Sequence, residues 1–330
     1  MLKDSHNRII DYLRIAITDK CNLRCQYCMP AEGIDYVKQA ELLTYEEILR
    51  IVSVVAKVGV KKIRITGGEP FLRKDLPYLI KSISEINGIE KIAITTNATI
   101  CKKYVDELIP YGLTEWNVSI DSLDKERFFE ITRRNEYDTV IDCINYLKNH
   151  PKINLKLNTV VMEHHNIDDI VSLVELTKSD DLSVRFIEEM PFNGSGNEQV
   201  ELKWNYKAIL NHIESHFGKT IKIPDPKNST SFNYQVEGYK GSFGVIPAFT
   251  RSFCGSCNRL RMTPVGIIKT CLYDKGTFNV KKMIRAGATD AHIRTAIQEA
   301  IKYKSKDGFE ADRKRRGGNS SLLSMAQIGG

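Results

Sequence analysis

The stretch Tyr12–Cys28, YLRIAITDKCNLRCQYC, joins a run of alternating apolar residues to three cysteines, Cys21, Cys25 and Cys28. Side chains that alternate between apolar and polar predict a β-strand with one buried face. Three thiols in one short loop, in a Cys-x-x-x-Cys-x-x-Cys spacing, are typical ligands of a four-iron cluster that keeps one iron free. Structural zinc sites normally have four ligands instead. The stretch therefore predicts a strand whose carboxyl end carries an iron–sulfur cluster.

Further β-branched runs follow this strand, and helical patterns lie between them. The six predicted strands are Tyr12–Thr18, Lys62–Thr66, Lys91–Thr95, Glu115–Ile120, Asn154–Val161 and Leu182–Ile187. The first helix begins with a capping box of Thr44 and Glu47 and ends at Gly59. Later helices are predicted near Asp75–Ile86, Lys102–Tyr111, Tyr137–Asn149 and Asp168–Ser179. This alternation predicts right-handed βαβ units around a parallel sheet.

Six βαβ-type units can form either an open barrel or a doubly wound sheet. The polar residues of the strands distinguish between these two folds. A doubly wound sheet buries both faces of its strands, which are then almost continuously apolar. Each strand here has a polar face instead, formed by Arg14, Thr18, Lys62, Arg64, Thr66, Thr95, Asn117, Ser119, Lys156, Asn158 and Arg185. We therefore predict an α/β fold, an incomplete (β/α)6 barrel whose wet, cationic interior suits an anion such as a polyphosphate.

The repeat of strands and helices ends near Met190, which divides the chain in two. Residues 1–190 are predicted to form the partial barrel, and residues 191–330 a C-terminal extension that covers its open side. The extension begins with a Gly-rich loop, Asn193–Asn197, followed by a helix over Trp204–Phe217. No low-complexity tract separates the two regions, so we expect them to form one unit.

The composition is that of a soluble globular protein, with 42% apolar and 27% charged residues. Residues Met1–Ile10 are polar where a secretory signal is apolar, and no apolar run is long enough to span a membrane. We therefore expect a cytoplasmic protein with no membrane partner. In that reducing compartment, eight cysteines are not expected to form disulfides. Cys101 and Cys143 have no nearby cysteine and are expected to be small packing residues.

A second group of cysteines, Cys254, Cys257 and Cys271, stands in FCGSCNRLRMTPVGIIKTCL. A Cys-x-x-Cys pair with a third cysteine after a hairpin-like stretch fits zinc and an iron–sulfur cluster about equally well. Arg259 and Arg261 beside the group are suited to bind an anion or a purine. This setting favours a second cluster with one free iron.

Four motifs make the sequence similar to the radical S-adenosylmethionine (SAM) superfamily. The first is the three-cysteine loop, with an aromatic residue, Tyr27, before its last cysteine. The others are RITGGEP at Arg64–Pro70, ITTNAT at Ile94–Thr99 and NVSIDSLD at Asn117–Asp124. Ala98 stands where the family commonly has glycine, so a positive φ would strain this loop. The resemblance implies a [4Fe-4S] cluster on Cys21, Cys25 and Cys28, and SAM contacts from Tyr27, Gly68, Ser119 and Met190.

Together with its second cysteine group, the chain resembles the molybdenum-cofactor biosynthesis protein A family, which are GTP 3′,8-cyclases. The resemblance implies a second [4Fe-4S] cluster on Cys254, Cys257 and Cys271, whose free iron binds the guanine base of GTP. It also implies that the terminal Ile328-Gly329-Gly330 enters the active site. The positions that match the GTP contacts of the family are Arg14, Arg64, Thr95, Lys156, Arg259, Leu260 and Arg261. Arg185 and Lys62 fit the same cationic set.

The reaction of that family follows from its cofactors. An external electron donor reduces the first cluster, and SAM is cleaved to methionine and a 5′-deoxyadenosyl radical. The radical removes a hydrogen from C3′ of GTP, the ribose radical attacks C8 of guanine, and a further electron and proton give the 3′,8-cyclised dihydro-GTP. The resemblance further implies a homodimer, and transfer of the product to the next enzyme of molybdenum cofactor synthesis.

Two other functions fit part of the sequence. A peptide-modifying radical enzyme with an auxiliary cluster would share both cysteine groups, but it does not need cations on the strands or at Arg259 and Arg261. A zinc-ribbon protein that binds nucleic acid would explain the net charge of +7 and the basic run Arg313–Arg316. It would not explain a polar barrel interior. We therefore expect no nucleic acid partner and interpret Arg313–Arg316 as a solvated segment.

Overall fold

A computed structural model describes residues 1–193, 202–317 and 323–329 of the chain. Strands from all parts of the chain join one sheet. They are β1 Tyr12–Ala16, β2 Lys62–Thr66, β3 Lys91–Thr96, β4 Leu113–Ser119, β5 Asn154–Val161, β6 Ser183–Glu188, β7 Ile221–Lys222, β8 Phe232–Gln235, β9 Ser242–Ile246, β10 Arg259–Met262, β11 Ile267–Lys269 and β12 Phe278–Asn279. In the described part of the chain, the order across the sheet is β12-β11-β10-β1-β2-β3-β4-β5-β6-β9-β8-β7.

The helices lie between the strands and at the C-terminus. They are α1 Tyr45–Lys57, α2 Leu76–Ser84, α3 Val105–Leu108, α4 Lys125–Thr132, α5 Tyr137–Lys148, α6 Asp169–Glu175, α7 Tyr206–Phe217, α8 Val280–Arg285, α9 Asp290–Lys302, α10 Gly308–Arg316 and α11 Met325–Ile328. Short 3-10 turns cover Gln39–Glu41, Pro70–Leu72, Lys102–Tyr104, Ile109–Tyr111 and Cys254–Ser256. Across the described residues, no helix is both long and apolar enough to cross a bilayer.

Eight neighbouring strands are parallel, from β10 at one side through β1 to β6 and on to β9 at the other. Short antiparallel strands flank them on both sides. Side chains from all eight parallel strands line one cavity, so the sheet curves around it. The ends of the sheet do not pair with each other among the described residues, and the barrel stays open. The predicted incomplete α/β barrel is therefore confirmed.

The C-terminal extension has a larger part in the barrel than predicted. It was expected to cover the open side, but its strands extend the parallel sheet at both edges. β9 pairs with β6, and β10 pairs with β1 so that Arg259 lies opposite Tyr12. These strands escaped prediction because each is short and no helical repeat precedes it.

The six predicted strands all form, and two of them begin and end at the predicted residues. β2 spans Lys62–Thr66 and β5 spans Asn154–Val161. The capping box of α1 is also present, since Thr44 Oγ1 accepts from the amide of Glu47 at 3.2 Å and the Thr44 amide donates to Glu47 Oε2 at 2.8 Å. The main departures at strand ends are two residues lost from β1 and two gained at the start of β4.

Two helical regions differ from the prediction. The helix predicted over Lys102–Tyr111 is one α-helical turn between two 3-10 turns, because Pro110 cannot donate the hydrogen bond that a continuous helix requires. The helix α4 was not predicted. It begins at Asp124, whose carboxylate accepts from the amide of Arg127 at 2.8 Å.

The apolar faces of the strands pack against the helices and form the main core. Trp116 is fully buried there, and its ring stacks on Phe71 at 6.0 Å. A second, smaller core joins Phe192, Tyr273 and Ile328, which come from distant parts of the chain. This second core attaches the C-terminal helix α11 to the barrel.

Cys101 and Cys143 are not isolated from each other, contrary to the prediction that they have no partner nearby. Both are fully buried, and their sulfur atoms lie 3.2 Å apart where α5 packs beside the turn after β3. The prediction that they are packing residues agrees with this burial. Their separation of 42 positions explains why the sequence does not reveal the contact.

Candidate active site

One cavity of about 790 Å³ lies inside the barrel, a volume within the usual range of small-molecule sites. All but one of the predicted site residues line it. They are Arg14, Cys21, Cys25, Tyr27, Cys28, Arg64, Gly68, Thr95, Ser119, Lys156, Met190, Cys254, Cys257, Arg259, Arg261 and Cys271. The exception is Leu260, whose side chain is buried in the core on the other face of β10, so only its backbone is available to a ligand.

The first cysteine trio lies at the carboxyl end of the parallel strands, in the loop after β1. A turn brings two of its members together, because the amide of Cys28 donates to the carbonyl of Cys25 at 2.9 Å. Asn97, after β3, donates from Nδ2 to the sulfur of Cys21 at 3.7 Å. The three thiols are partly exposed to the cavity, which fits an iron–sulfur cluster with one iron open to a ligand. No three His, Cys, Asp or Glu side chains of the described residues are arranged to hold a single metal ion.

The two glycines after β2 hold this cysteine loop close to the barrel. A Cβ atom on Gly68 would lie 2.3 Å from the carbonyl oxygen of Lys20, and one on Gly67 would lie 2.5 Å from that of Thr18. A backbone hydrogen bond also requires the two segments to lie this close, since the amide of Gly68 donates to the carbonyl of Thr18 at 2.8 Å. Close approach, rather than a positive φ, therefore explains the Gly-Gly pair.

Two buried carboxyl groups lie near the first trio, and Asp121, unlike Glu69, lines the cavity. Glu69 accepts from the amide of Asn97 at 2.7 Å, and burial raises its pKa to about 7. Asp121 accepts from the hydroxyl of Tyr27 and the amide of Val160, each at 2.9 Å, and burial raises its pKa to about 6. A buried carboxylate becomes more stable when a positive charge approaches it. This end of the cavity is therefore suited to a cationic ligand.

Ala98 adopts the strained conformation that the sequence raised as a possibility. Its φ is +63°, in the left-handed region that favours glycine, and its side chain is buried. The amide of Ala98 donates to Thr96 Oγ1 at 3.1 Å, which helps to hold the turn. The loop therefore has the shape that glycine would give, at a cost in backbone energy.

The second trio lies at the amino end of the strands. Cys254 and Cys257 directly precede β10, which runs parallel to β1, and Cys271 follows the antiparallel β11. The strand β1, whose five residues span about 13 Å in four steps of roughly 3.3 Å, lies between the two trios. One cavity therefore has a cysteine trio at each end.

Cations lie behind the second trio. Arg8 donates from Nη1 to the carbonyl of Cys254 at 2.9 Å, and the buried Lys304 donates to the carbonyls of Arg259 and Thr270. Burial alone would raise the pKa of Cys257, but the positive charges of Lys304, Arg259 and Arg8 lower it to about 7. The surroundings therefore stabilise negative charge at Cys257, whereas burial raises the pKa of Cys254 and raises that of Cys271 to about 11.

The wall between the trios is strongly cationic. The pairing of β10, β1 and β2 places Arg261, Arg14 and Arg64 side by side. Lys156 lies across the cavity, where burial and the charge of Arg185 lower its pKa to about 8. A carboxylate on β4 has the opposite, weaker effect on this pKa. One buried arginine, several half-buried ones and a half-buried lysine, with so few carboxylates, favour a polyanionic ligand.

Three polar atoms on this wall have no hydrogen-bond partner within the described ranges. They are Nε of Arg185 and the side-chain oxygens of Asn117 and Asn158. A buried donor or acceptor without a partner costs about 1–3 kcal/mol. The cavity therefore offers both a hydrogen-bond donor and acceptors, and a ligand with both kinds of group would satisfy these atoms.

The C-terminal segment reaches the same cavity. Ser324 Oγ donates to the carbonyl of Cys28 at 2.7 Å, and Arg261 Nη1 donates to the carbonyl of Gly329 at 2.7 Å. A Cβ atom on Gly329 would lie 2.6 Å from Thr66 Oγ1, so this position requires glycine. The predicted Gly330 and most of the predicted Gly-rich loop, from residue 194 on, lie outside the described residues.

The basic run of α10 is paired within its own helix. Arg315 is buried and bonds to Asp312 at 2.8 Å, Arg316 bonds to the same carboxylate at 3.2 Å, and Lys314 bonds to Glu310 at 2.7 Å. These ion pairs leave less positive charge available for an acidic partner. They differ from the predicted solvated segment in one respect, the burial of Arg315.

Several residues of the site were missed by the sequence analysis. Glu69 and Asp121 lie inside recognised motifs but had no assigned role, and Arg8, Tyr12 and Lys304 had none either. Tyr12 carried a detectable signal, since it shares the inward face of β1 with Arg14. Arg8 and Lys304 lie outside the strand repeats, and only the folded chain brings them to the second trio.

Comparison with known proteins agrees with this arrangement. Residues 15–177 match the Radical SAM superfamily, and residues 182–309 match the family described as Molybdenum Cofactor Synthesis C. Within the solved structures, SuiB from Streptococcus suis has a TM-score of 0.61 with 16% identity, over 87% of this chain and 68% of that chain. At this identity the likeness shows the fold alone.

Full-length relatives show a closer relationship. GTP 3′,8-cyclases from Clostridium perfringens SM101 and Thermodesulfovibrio yellowstonii are 39% and 40% identical, with complete coverage of both chains in each case. The molybdenum cofactor biosynthesis protein moc-5 of Caenorhabditis elegans is 41% identical over 89% of this chain, which spans only 49% of that relative. The chain therefore belongs to the GTP 3′,8-cyclase family of the radical SAM superfamily.

Proposed function

We propose that this chain is a radical SAM GTP 3′,8-cyclase, a lyase that converts GTP to (8S)-3′,8-cyclo-7,8-dihydroguanosine 5′-triphosphate in molybdenum cofactor biosynthesis. The observation that carries the proposal is the opposite charge of the two ends of one cavity. Asp121, which lines the carboxyl end of the cavity, suits SAM, whose sulfonium and ammonium groups are positive. The arginines and lysines of the strands suit a triphosphate.

At the carboxyl end, Cys21, Cys25 and Cys28 would hold the [4Fe-4S] cluster that the radical SAM family implies. When bound, this cluster supplies the electron that cleaves SAM and generates the radical that starts the reaction. Asp121 would stabilise the positive groups of SAM while the chain holds it beside the trio. The proposed direct contacts with SAM are Tyr27, Gly68, Ser119 and Met190.

At the amino end, Cys254, Cys257 and Cys271 would hold a second [4Fe-4S] cluster, whose free iron would bind guanine. The surrounding cations support this assignment, because Lys304 and Arg8 offset the negative charge of three thiolates. A zinc ion with these three ligands is the alternative that the spacing alone leaves open. Iron and zinc analysis of the purified protein decides between them.

The wall between the trios would hold the substrate. Its contacts with GTP are proposed for Arg14, Arg64, Thr95, Lys156, Arg259, Leu260 and Arg261, with Leu260 acting through its backbone. Cations on several strands would fix the triphosphate, while the second trio fixes the base. The ribose then lies between the two ends, with C3′ toward the source of the radical. Such positioning can account for a large part of the rate, because two bound reactants meet in one orientation.

The C-terminal segment would complete the site. Its contact with Arg261, through the carbonyl of Gly329, supports the proposal that the tail enters the cavity. The described part of the tail also covers the first trio through Ser324. A closed cavity would exclude water and oxygen from the radical.

The remaining proposals concern partners and location. We infer that an external protein donates the electrons, that the chain forms a homodimer, and that the product passes to the next enzyme of cofactor synthesis. The same family membership supports a cytoplasmic location. None of these partners is needed for the first test of activity, because dithionite replaces the electron donor.

The decisive experiment is an anaerobic assay of the protein reconstituted with iron and sulfide. Dithionite, SAM and one nucleoside triphosphate are added, and 5′-deoxyadenosine and nucleotide products are followed by mass spectrometry. We expect 5′-deoxyadenosine together with an isomer of GTP, and no cyclised product from ATP, CTP or UTP. The variant Arg261→Ala is the matched control, and it should keep much of the uncoupled SAM cleavage but make no cyclised product.

Two results would contradict the proposal. SAM cleavage that does not respond to GTP and yields no isomer would keep the radical chemistry but assign another substrate. Bound zinc without SAM cleavage would support the zinc-ribbon alternative, which predicts salt-dependent binding of nucleic acid.

A further inference from the structure

Tyr12 is a buried tyrosine at the amino end of β1 that faces the cavity. Its phenolic oxygen accepts from Nε of Arg64 at 2.6 Å. The ammonium of Lys62 lies 5.4 Å from the centre of its ring, and the guanidinium carbon of Arg259 lies 5.6 Å from the same centre. Within the described residues, no acceptor receives a hydrogen bond from this hydroxyl. The oxygen of Tyr12 is therefore placed as an acceptor among cations.

The charged groups that face Tyr12 come from every strand around it. They are Arg14 on β1, Lys62 and Arg64 on β2, Arg185 on β6, and Arg259 and Arg261 on β10, with Glu115 on β4 as the acidic neighbour of Lys62. Burial alone would raise the pKa of Tyr12, but the charges of Arg64, Arg14, Arg259 and Lys62 lower it to about 7. The phenolate is thus the form that these contacts stabilise in the empty site.

We propose that Tyr12 is a positioning residue that balances the charge of the cations before substrate binds, and that it takes up a proton when a nucleoside triphosphate replaces it in that role. The inference rests on the proposed function, since it needs GTP to bind at this wall. The bound triphosphate neutralises the cations that stabilise the phenolate. Tyr12 then returns to its neutral form, with the proton supplied by solvent, and its ring remains packed against Lys62 and Arg259.

The proton uptake has a defined dependence on pH. At pH 8, a group with a pKa of about 7 is roughly nine-tenths ionised, whereas a tyrosine with its ordinary pKa near 10 is neutral. Binding therefore adds close to one proton at Tyr12 at pH 8 and almost none at pH 6. Lys156, whose pKa is about 8, is a second source of uptake and has to be separated from Tyr12.

The test is isothermal titration calorimetry of GTP into the reconstituted protein, anaerobically and without reductant, in buffers of different ionisation enthalpy. The buffer dependence of the heat gives the number of protons taken up. We expect Tyr12→Phe to take up about 0.9 proton fewer than the wild-type protein at pH 8, and the difference to vanish at pH 6. The control is Tyr104→Phe, which removes a tyrosine hydroxyl outside the cavity. The ring of Tyr104 stacks on Phe71, and this variant should behave as wild type.

A second variant keeps the inference testable if Tyr12→Phe does not retain its clusters. Lys156→Arg keeps the positive charge but removes the titration of the lysine, so the uptake that persists at pH 8 must come from elsewhere. Uptake that disappears in Lys156→Arg, or that is unchanged in a folded Tyr12→Phe, would overturn the role of Tyr12. Failure of the wild-type protein to bind GTP would instead overturn the proposed function.

Discussion

The two cysteine trios differ in how the chain assembles them and in the charges around them. The first comes from one loop of eight residues, Cys21–Cys28, whereas the second needs two ends of a β-hairpin. The buried carboxyl group of Asp121 lies beside the first, and the buried cations Arg8 and Lys304 lie behind the second. The thiol pKa values show this contrast at Cys257, where nearby cations lower the pKa to about 7. Burial raises the pKa of Cys271 to about 11 and that of Cys21 to about 12, so the other thiols behave alike at both ends.

This contrast shows how one cavity can accept two ligands of opposite charge. The proposed clusters and their thiolates would be negative at both ends, so the ligand preference would have to come from other side chains. Carboxylates at one end favour a sulfonium, and cations at the other favour a triphosphate. Each ligand is also discouraged from the wrong end by like charge. In the proposed arrangement, the order of the two substrates in the cavity therefore follows from electrostatics.

The largest expected effect is loss of one trio at a time. Cys25→Ser removes a ligand of the proposed SAM-cleaving cluster and should reduce 5′-deoxyadenosine formation by at least about a thousandfold, with cyclisation lost as well. Cys257→Ser should spare much of the uncoupled cleavage and abolish cyclisation. Both products are measured by mass spectrometry in the same anaerobic assay. Intact cleavage in Cys25→Ser would break the assignment of the first trio, and normal cyclisation in Cys257→Ser would break that of the second.

A pair of charge-removing variants sharpens the comparison. Asp121→Asn should weaken SAM binding about tenfold and leave GTP binding unchanged, because it removes a carboxylate from the SAM end only. Arg64→Gln should do the reverse and weaken GTP binding about 10–100-fold, the usual worth of a charge-assisted contact. Equilibrium binding of each ligand to each reconstituted variant measures the effect. Equal losses for both ligands in either variant would show that charge does not separate the two ends.

The sequence predicted the barrel and most of the site because the relevant signals are local. Alternation along the strands was enough to turn Arg14, Arg64 and Lys156 toward the interior, and the spacing of three cysteines was enough to identify the first trio. The same rule applied to Tyr12 would have found it, but a tyrosine is as common on an apolar face as on a polar one.

The remaining features depend on contacts between distant segments. Lys304 reaches the second trio from the loop after α9, and Cys143 meets Cys101 only because α5 packs there. The strands β9 and β10 lack the alternating helices that mark the predicted strands, and only pairing with the barrel edges defines their role. Periodicity and spacing describe one element at a time, so they cannot predict such contacts.

The pH dependence of GTP binding tests the cationic end without removing a side chain from the wild-type protein. The pKa of Lys156 is about 8, because burial and Arg185 lower it. Below pH 8 the ammonium is present to attract the triphosphate, and above pH 8 the positive charge is progressively lost. Between pH 7 and pH 9, the dissociation constant of GTP should therefore rise about tenfold more in the wild-type protein than in Lys156→Arg. SAM binding over the same range is the control, and identical pH profiles for the two proteins with GTP would contradict the role of Lys156.

The smallest expected effect concerns Ala98, beside the first trio. Ala98→Gly relieves the left-handed strain of about 1–2 kcal/mol, but it also loses a buried methyl group worth about 0.8 kcal/mol and adds about 0.4–1 kcal/mol of chain entropy to the unfolded state. These terms nearly cancel, so the midpoint of thermal unfolding should move by less than about 2 °C and SAM cleavage should not change. Gly68→Ala is the contrasting variant, because its Cβ would lie 2.3 Å from a carbonyl oxygen and must displace the cysteine loop. A large stability change in Ala98→Gly would mean that the loop has another conformation, whereas a harmless Gly68→Ala would mean that close packing does not hold the first trio in place.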